Sequence, residues 1–213
     1  MGFNIIKQNE WNRKNTYNEF FNNSPCTYSM TVNIDITSLY KTARCHNLKL
    51  FPTILFGLSH IVNSERAFRM DLDGNGQLGY YDVSNPYYTI FHNETETFTN
   101  VWTEYTPDYI AFIENYNQDM LKYKNDCINS KTTLGTNLFN VSCIPWTSFT
   151  GFNLNLQKGY DYFPPIFTIG KFYKEGKKYI LPLAVQVHHA VCDGFHTAKF
   201  VNEFQKWATT FGI

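Results

Sequence analysis

The 213-residue chain has little charge: only 17% of its residues are Asp, Glu, Lys or Arg, and 18 acidic groups balance 18 basic ones. A formal net charge of zero gives no sign of the basic stripe that a phosphate backbone calls for, so no nucleic acid partner is expected. Cysteine is sparse as well. Cys26, Cys45, Cys127, Cys143 and Cys192 are odd in number and lack CxxC spacing, so free thiols are expected rather than zinc ligands or disulfides. The longest apolar stretch, Leu48 to Val62, is interrupted by Lys49, Pro52, Ser59 and His60 and cannot span a bilayer. The opening residues Met1 to Lys7 turn polar too soon for a signal peptide, and Ile6 stands where myristoylation requires Ser or Thr. A cytoplasmic protein with no membrane partner is expected, in which the sequons at Asn22, Asn93 and Asn140 carry no information. Internal repeats and low-complexity linkers are absent too, so residues 1–213 are read as one domain.

Aromatic residues, by contrast, are abundant: 18% of the chain, with 19 Phe and 15 Tyr. That supply suits a core built from rings, apolar pockets and subunit contacts. Glu10 to Asn22 has helical periodicity, with Trp11, Tyr17, Phe20 and Phe21 on one side. Cys26 to Ile36 alternates in steps of two, placing Tyr28, Met30, Val32, Ile34 and Ile36 on one face of a strand. Helices are predicted over Pro52 to Phe68, Pro107 to Lys124 and Phe195 to Phe211. Arg69 to Val83 reads as a hairpin. Tyr87 to His92, Asn137 to Ile144, Gly151 to Gln157, Ile166 to Tyr173 and Lys178 to His188 read as strands. Helices and strands mix without strict alternation, so the expected class is α+β, a mixed central β-sheet flanked by helices.

One loop imitates two binding motifs. Gly74, Gly76 and Gly79 match a dinucleotide fingerprint, but Tyr80 to Pro86 provides no following helix to receive a pyrophosphate. Asp71, Asp73, Asn75 and Asp82 imitate a calcium loop, yet Asp stands where a bidentate Glu is needed and the flanks are not helical. A hairpin turn through Asp73-Gly74-Asn75-Gly76 is the reading.

Chemistry concentrates at the end of the apolar run Tyr179 to His188, followed by His189-Ala190-Val191-Cys192-Asp193-Gly194 and a helix. A strand that ends at a turn holds side chains rigidly beside a cleft, and of two adjacent strand residues only one can face it. A zinc site is not expected, because His46, His60, His92 and His196 lack ligand spacing with this pair.

The string His-His-x-x-x-Asp-Gly resembles the active-site motif of the coenzyme A-dependent acyltransferase superfamily. Within it, His188 to His196 is similar to the chloramphenicol acetyltransferase family. The likeness extends through Trp11-Asn12-Arg13-Lys14, Phe91 to Phe98, Asn140-Val141-Ser142, Pro145-Trp146, Phe152 to Asn155 and Pro182 to Val187. It implies that fold, assembled as a homotrimer with active sites at subunit interfaces, and acetyl transfer from acetyl-coenzyme A to a hydroxyl of chloramphenicol. By the same likeness, His189 is the general base, Ser142 the oxyanion donor and Thr168 the holder of a water. Asp193 pairs with Arg13 to shape the loop, rather than completing a nucleophilic triad. The implied acceptor pocket includes Phe20, Cys26, Tyr28, Phe98, Trp146, Phe152, Leu154 and Tyr162. Coenzyme A is expected near Lys49, Phe51, Lys171 and Phe172, with no metal. Phe20 stands where family members carry Tyr. Two superfamily alternatives, the core of a 2-oxoacid dehydrogenase complex and a condensation domain, lack here the expected lipoyl linker and double length. A calcium-binding or sheet-mediated interaction protein is the alternative from another class.

Overall fold

The computed structural model describes residues 2–124, 131, 137–156 and 161–212. Its centre is a seven-stranded mixed sheet: β2 (Thr27–Asp35), β5 (Asn85–His92), β6 (Thr97–Trp102), β7 (Leu138–Ile144), β8 (Ile166–Gly170), β9 (Tyr173–Glu175) and β10 (Lys178–His188). The order is β2-β10-β8-β7-β5-β6, with β9 paired to β10. β7 runs parallel to both β5 and β8, and the other pairings are antiparallel. A small second sheet holds β1 (Phe3–Ile5), β4 (Leu78–Tyr81) and β3 (Met70–Leu72).

Register explains why the central sheet has two unlike faces. Tyr88, Val141, Phe167, Val185 and Met30 are direct neighbours across five strands, so their side chains point to one side. That apolar row meets the helices: Phe167 stacks on Phe200 at 4.9 Å, and Tyr88 lies 5.6 Å from Tyr116. The helices are α1 (Lys14–Asn18, continued by a π turn to Asn23), α2 (Thr37–Cys45), α3 (Leu50–Ser64), α4 (Tyr109–Tyr123) and α5 (Gly194–Thr210). α3 is buried over most of its length and closes tightly on α5, since a Cβ at Gly57 would lie 2.3 Å from the Trp207 ring. The row one residue along, Tyr87, Asn140, Ile166, Gln186 and Ser29, turns to the opposite and more polar face. Among the described residues, no helix is long and apolar enough to cross a membrane.

The architecture agrees with the α+β expectation, and the differences are local. The run from Glu10 divides into a 3-10 turn, the short α1 and a π turn. α3 begins at Leu50 and stops at Ser64, before a 3-10 turn over Arg66–Arg69. α2 was not expected. Its start is set by Asp35, whose Oδ1 accepts from the Thr37 N–H at 3.0 Å and from the Thr37 hydroxyl at 2.6 Å. β6 was not expected either: its side chains alternate, but Thr99, at 3% exposure, faces inward while Phe98, at 61%, faces out, which blurs the apolar pattern. Residues 151–156 form no strand. Gln186 holds them against β10 instead, accepting from the Leu154 N–H at 2.7 Å and donating to its carbonyl at 2.8 Å. Gln157, the end of that expected strand, and Cys127 lie outside the described residues. The glycine loop is the turn of the β3–β4 hairpin. Gly76 takes the positive φ of 75°, and Asp73 accepts from the N–H groups of Asn75 and Gln77.

Candidate active site

β10 ends at His188 because its last ladder partner is Thr27 at the start of β2. The His189 N–H then donates to the Cys26 carbonyl at 3.0 Å, keeping the chain extended for one more residue before it turns. Phe20, on the π turn after α1, stacks on the half-buried His189 ring at 3.8 Å with an 18° interplanar angle. Tyr28 meets the same ring edge-on at 5.4 Å, and its hydroxyl lies 2.6 Å from the Thr197 hydroxyl on α5. Desolvation, the largest influence on the Tyr28 phenol, pushes its pKa up to about 12, so it stays neutral. His189 Nδ1 is buried with no hydrogen-bond partner among the described residues, which leaves Nε2 as the open ring nitrogen. His188, 1% exposed, is instead a core residue between Phe21 and Phe163, and its Nδ1 accepts from the Ala190 N–H at 3.1 Å.

The turn after His189 is fixed by Asp193, the N-cap of α5. One carboxylate oxygen accepts from the Phe195 N–H at 3.1 Å and lies 2.8 Å from His196 Nδ1; the other accepts from the Arg13 guanidinium. Burial raises the Asp193 pKa, but the hydrogen bonds from Arg13 and His196 outweigh it and hold the group at about 2. Asp193 therefore spends its lone pairs on the helix, on Arg13 and on His196. His196 completes a capping box with Asp193, a role legible only as an N3 side chain three residues past the cap.

Ser142 sits elsewhere, in the middle of the polar face. Its row is Ser142, Thr168, Ala184 and Thr31, so Thr168 on β8 is its direct neighbour and is buried at 2% exposure. A cavity of about 560 Å³ opens here, lined by Ser142, Asn140, Tyr87, Leu154, Tyr162 and Asp71. The Asn140 amide donates to the Tyr162 hydroxyl, and burial together with the charge of Asp71 pushes that phenol up to about 12. Sequence reasoning passed over Tyr87 and Asp71 as site residues, because only pairing through β3 and β5 brings them to this cavity. Gln186 was likewise missed. Its signal is a polar residue inside an otherwise apolar strand run.

Neighbouring residues on β7 face opposite ways, so Cys143 lines a second cavity, of about 430 Å³, on the helix side. Phe51, Lys171 and Phe172 line it too, joining rings to a cation, which suits a large group with an aromatic base and phosphates. Burial pushes the Cys143 thiol up to about 11, so no thiolate nucleophile is available there. Lys49, the residue before α3, borders a separate cleft of about 160 Å³. Of the remaining acceptor residues, Trp146 (58% exposed) packs edge-on against Phe91 at 4.6 Å. Phe91 pairs with Phe98 across β5 and β6. Phe152 donates its N–H to the Thr31 hydroxyl at 3.2 Å.

One chain thus keeps Ser142 and His189 in separate places. Ser142 lies two strands from Ala184, and His189 lies five residues beyond Ala184. At ~3.3 Å per residue and ~4.8 Å per strand, their Cα atoms stand roughly 19 Å apart.

Residues 1–205 match the chloramphenicol acetyltransferase family model. A chloramphenicol acetyltransferase of Campylobacter coli is 52% identical over 206 residues, covering 96% of this chain and 98% of that protein. A solved chloramphenicol acetyltransferase superposes with a TM-score of 0.87 at 21% identity, covering 97% of this chain and 99% of that one. A dihydrolipoamide acetyltransferase of Azotobacter vinelandii shares the fold more distantly, with a TM-score of 0.68 at 15% identity over 92% of this chain and 86% of that one. With a match over nearly its whole length and half its residues identical to a full-length relative, the chain belongs to the chloramphenicol acetyltransferase family.

Proposed function

We propose that this chain moves the acetyl group of acetyl-coenzyme A directly to a hydroxyl of chloramphenicol, in a composite site shared between two copies of the chain. An alcohol is a poor nucleophile at neutral pH, so a fixed base must take its proton as it attacks the thioester carbonyl. His189 Nε2, oriented by Phe20 and Tyr28, has that role. The attack forms a tetrahedral oxyanion, and the Ser142 hydroxyl donates to it while Thr168 holds a water beside it. Collapse expels the thiolate of coenzyme A, which takes up the proton held by His189. No acyl-enzyme forms: Ser142 donates to the oxyanion instead of attacking the thioester, and Cys143, its thiol kept protonated by burial, faces the other side of the sheet.

The roughly 19 Å between Ser142 and His189 carries the composite reading. A base and an oxyanion donor each have to come within about 3 Å of the reacting atoms, so a single chain cannot supply both. A cyclic homotrimer brings the His189 end of one copy to the Ser142 cavity of the next, and the exposed rings Phe98 and Trp146 are suited to that contact. The acceptor then lies among Leu154, Tyr162 and Phe152 of one copy and Phe20, Cys26 and Tyr28 of the other. Coenzyme A approaches from the cavity of Phe51, Lys171 and Phe172, with Lys49 at its outer edge. The same reading makes the protein cytoplasmic, since both substrates are met there.

The test is subunit mixing. His189→Ala and Ser142→Ala are each purified, confirmed inactive, then unfolded and refolded together. The composite site predicts that about a quarter of the interfaces regain an intact pair and release thiol from acetyl-coenzyme A with chloramphenicol. A mixture as inactive as its parents, from chains that do co-assemble, would place both residues of a site in one copy.

A further inference from the structure

Asp71 is a charged residue in a position that the fold does not use. It occupies the middle of the three-residue β3, between Met70 at 3% exposure in the core and Leu72, which also packs on the core. Strand alternation turns its side chain the other way, into the 560 Å³ cavity of Ser142. One carboxylate oxygen accepts from the Leu72 N–H at 2.9 Å. Among the described residues no cation pairs with it. Burial therefore raises its pKa to about 6, with only the Leu72 hydrogen bond opposing. Gly79 faces it across the ladder and brings no charge.

The other groups at that end of the cavity are Asn140, Tyr162, Tyr87 and Asn100. Both phenols are pushed upward by burial, so Asp71 is the lining group that titrates between about pH 5 and 8. Asn140 is two residues before Ser142 on β7, so this polar cluster lies roughly 7 Å or more from the reacting end. An acceptor alcohol of drug size reaches that far.

We propose that Asp71 is a specificity-determining residue: its carboxylate accepts a hydrogen bond from the end of the acceptor remote from the reacting hydroxyl. Acceptors carrying a donor there, such as an amine or a hydroxyl, are favoured over those carrying a nitro or ether oxygen. The proposal rests on Ser142 marking the reacting end of this cavity.

The experiment compares kcat/KM for chloramphenicol and for its aryl-amine analogue, in which the nitro group is reduced, by thiol release across about pH 5 to 8. In the wild-type enzyme the amine-to-nitro ratio rises with pH as Asp71 ionises. In Asp71→Asn, which retains an oxygen for the Leu72 N–H, the ratio is flat and about tenfold below the wild-type ratio at the upper end. Any change at the reacting end and any general damage scale both acceptors alike, and so leave the ratio untouched. A wild-type ratio that ignores pH, or a variant that slows both acceptors equally, would overturn the proposal. A wild-type enzyme that acetylates neither compound would instead overturn the functional reading beneath it. The pH profile of the wild-type ratio needs no variant, so the test survives a misfolded one.

Discussion

Asp193 and Asp71 are both partly buried carboxylates, one at each half of the proposed reaction centre, and their surroundings push them in opposite directions. Asp193 receives Arg13, His196 and a helix N-terminal N–H, and is held at about 2. Asp71 receives one backbone N–H and is raised to about 6. The first region is built for position: the ring of His189, the proposed base, stacks on Phe20, and the carboxylate of Asp193 beyond it is fully engaged by a helix N-terminus, Arg13 and His196. The second keeps its polar groups for something that enters. A carboxylate that weakens the fold at neutral pH yet faces a cavity is better explained by what it binds than by what it supports.

Removing each region's reactive group tests the division most strongly. His189→Ala should lower kcat by about 10²–10⁴-fold with KM little changed; near wild-type turnover in a thiol-release assay would remove His189 as the base. Ser142→Ala should cost about 10²–10³ in kcat, and a defect confined to KM would make it a binding residue instead. Smaller, and read in stability, is Asp193→Ala. Losing the cap costs about 1 kcal/mol, and leaving Arg13 with a buried and unpaired guanidinium adds to it, which thermal melts would register. The sign with pH follows from the lowered pKa. Its stabilising contribution is complete above the ordinary value of 3.8 and is lost as pH falls towards about 2, so the gap between wild type and variant closes over that window. Asp71→Asn should show the reverse sign, a gain in stability. The folded protein holds this proton more tightly than the unfolded chain, so ionisation costs stability as pH rises from 3.8 to about 6. The variant should therefore melt higher than wild type above about pH 6 and identically below the lower value. Equal melting at neutral pH would show that Asp71 is already satisfied.

Legibility followed the range of each interaction. β2 was readable because an apolar face imposes its period on consecutive residues, and β10 because it is an apolar run of strand length. α5 was readable because Val201, Phe204, Trp207 and Ala208 keep the helical spacing, although Phe195, expected on the same face, is 73% exposed. α2 was not readable, since its N-cap Ile36 has no capping side chain, Asp35 one residue earlier serves instead, and its buried apolar positions, Leu39 and Ala43, are few. Gly151 to Leu156 looked like a strand because its rings and leucines alternate. Its backbone found Gln186 and Thr31 before it found a ladder. Phe51, Lys171 and Phe172 do share a cavity, whereas Lys49 borders another despite lying two residues from Phe51.

The residues alone determined the two-faced strands and the His-His-x-x-x-Asp-Gly turn, because those depend on neighbours in the chain. Strand period, helix cap and turn chemistry act over two to four residues, and a motif inherits them wherever it stands. Only the tertiary structure decided that Ser142 and Thr168 are neighbours, that His189 is remote from both, and that Asp71 shares the cavity of Ser142. Those relations are set by the order and register of strands far apart in sequence, where burial of the apolar rows, and not any local preference, selects the pairing.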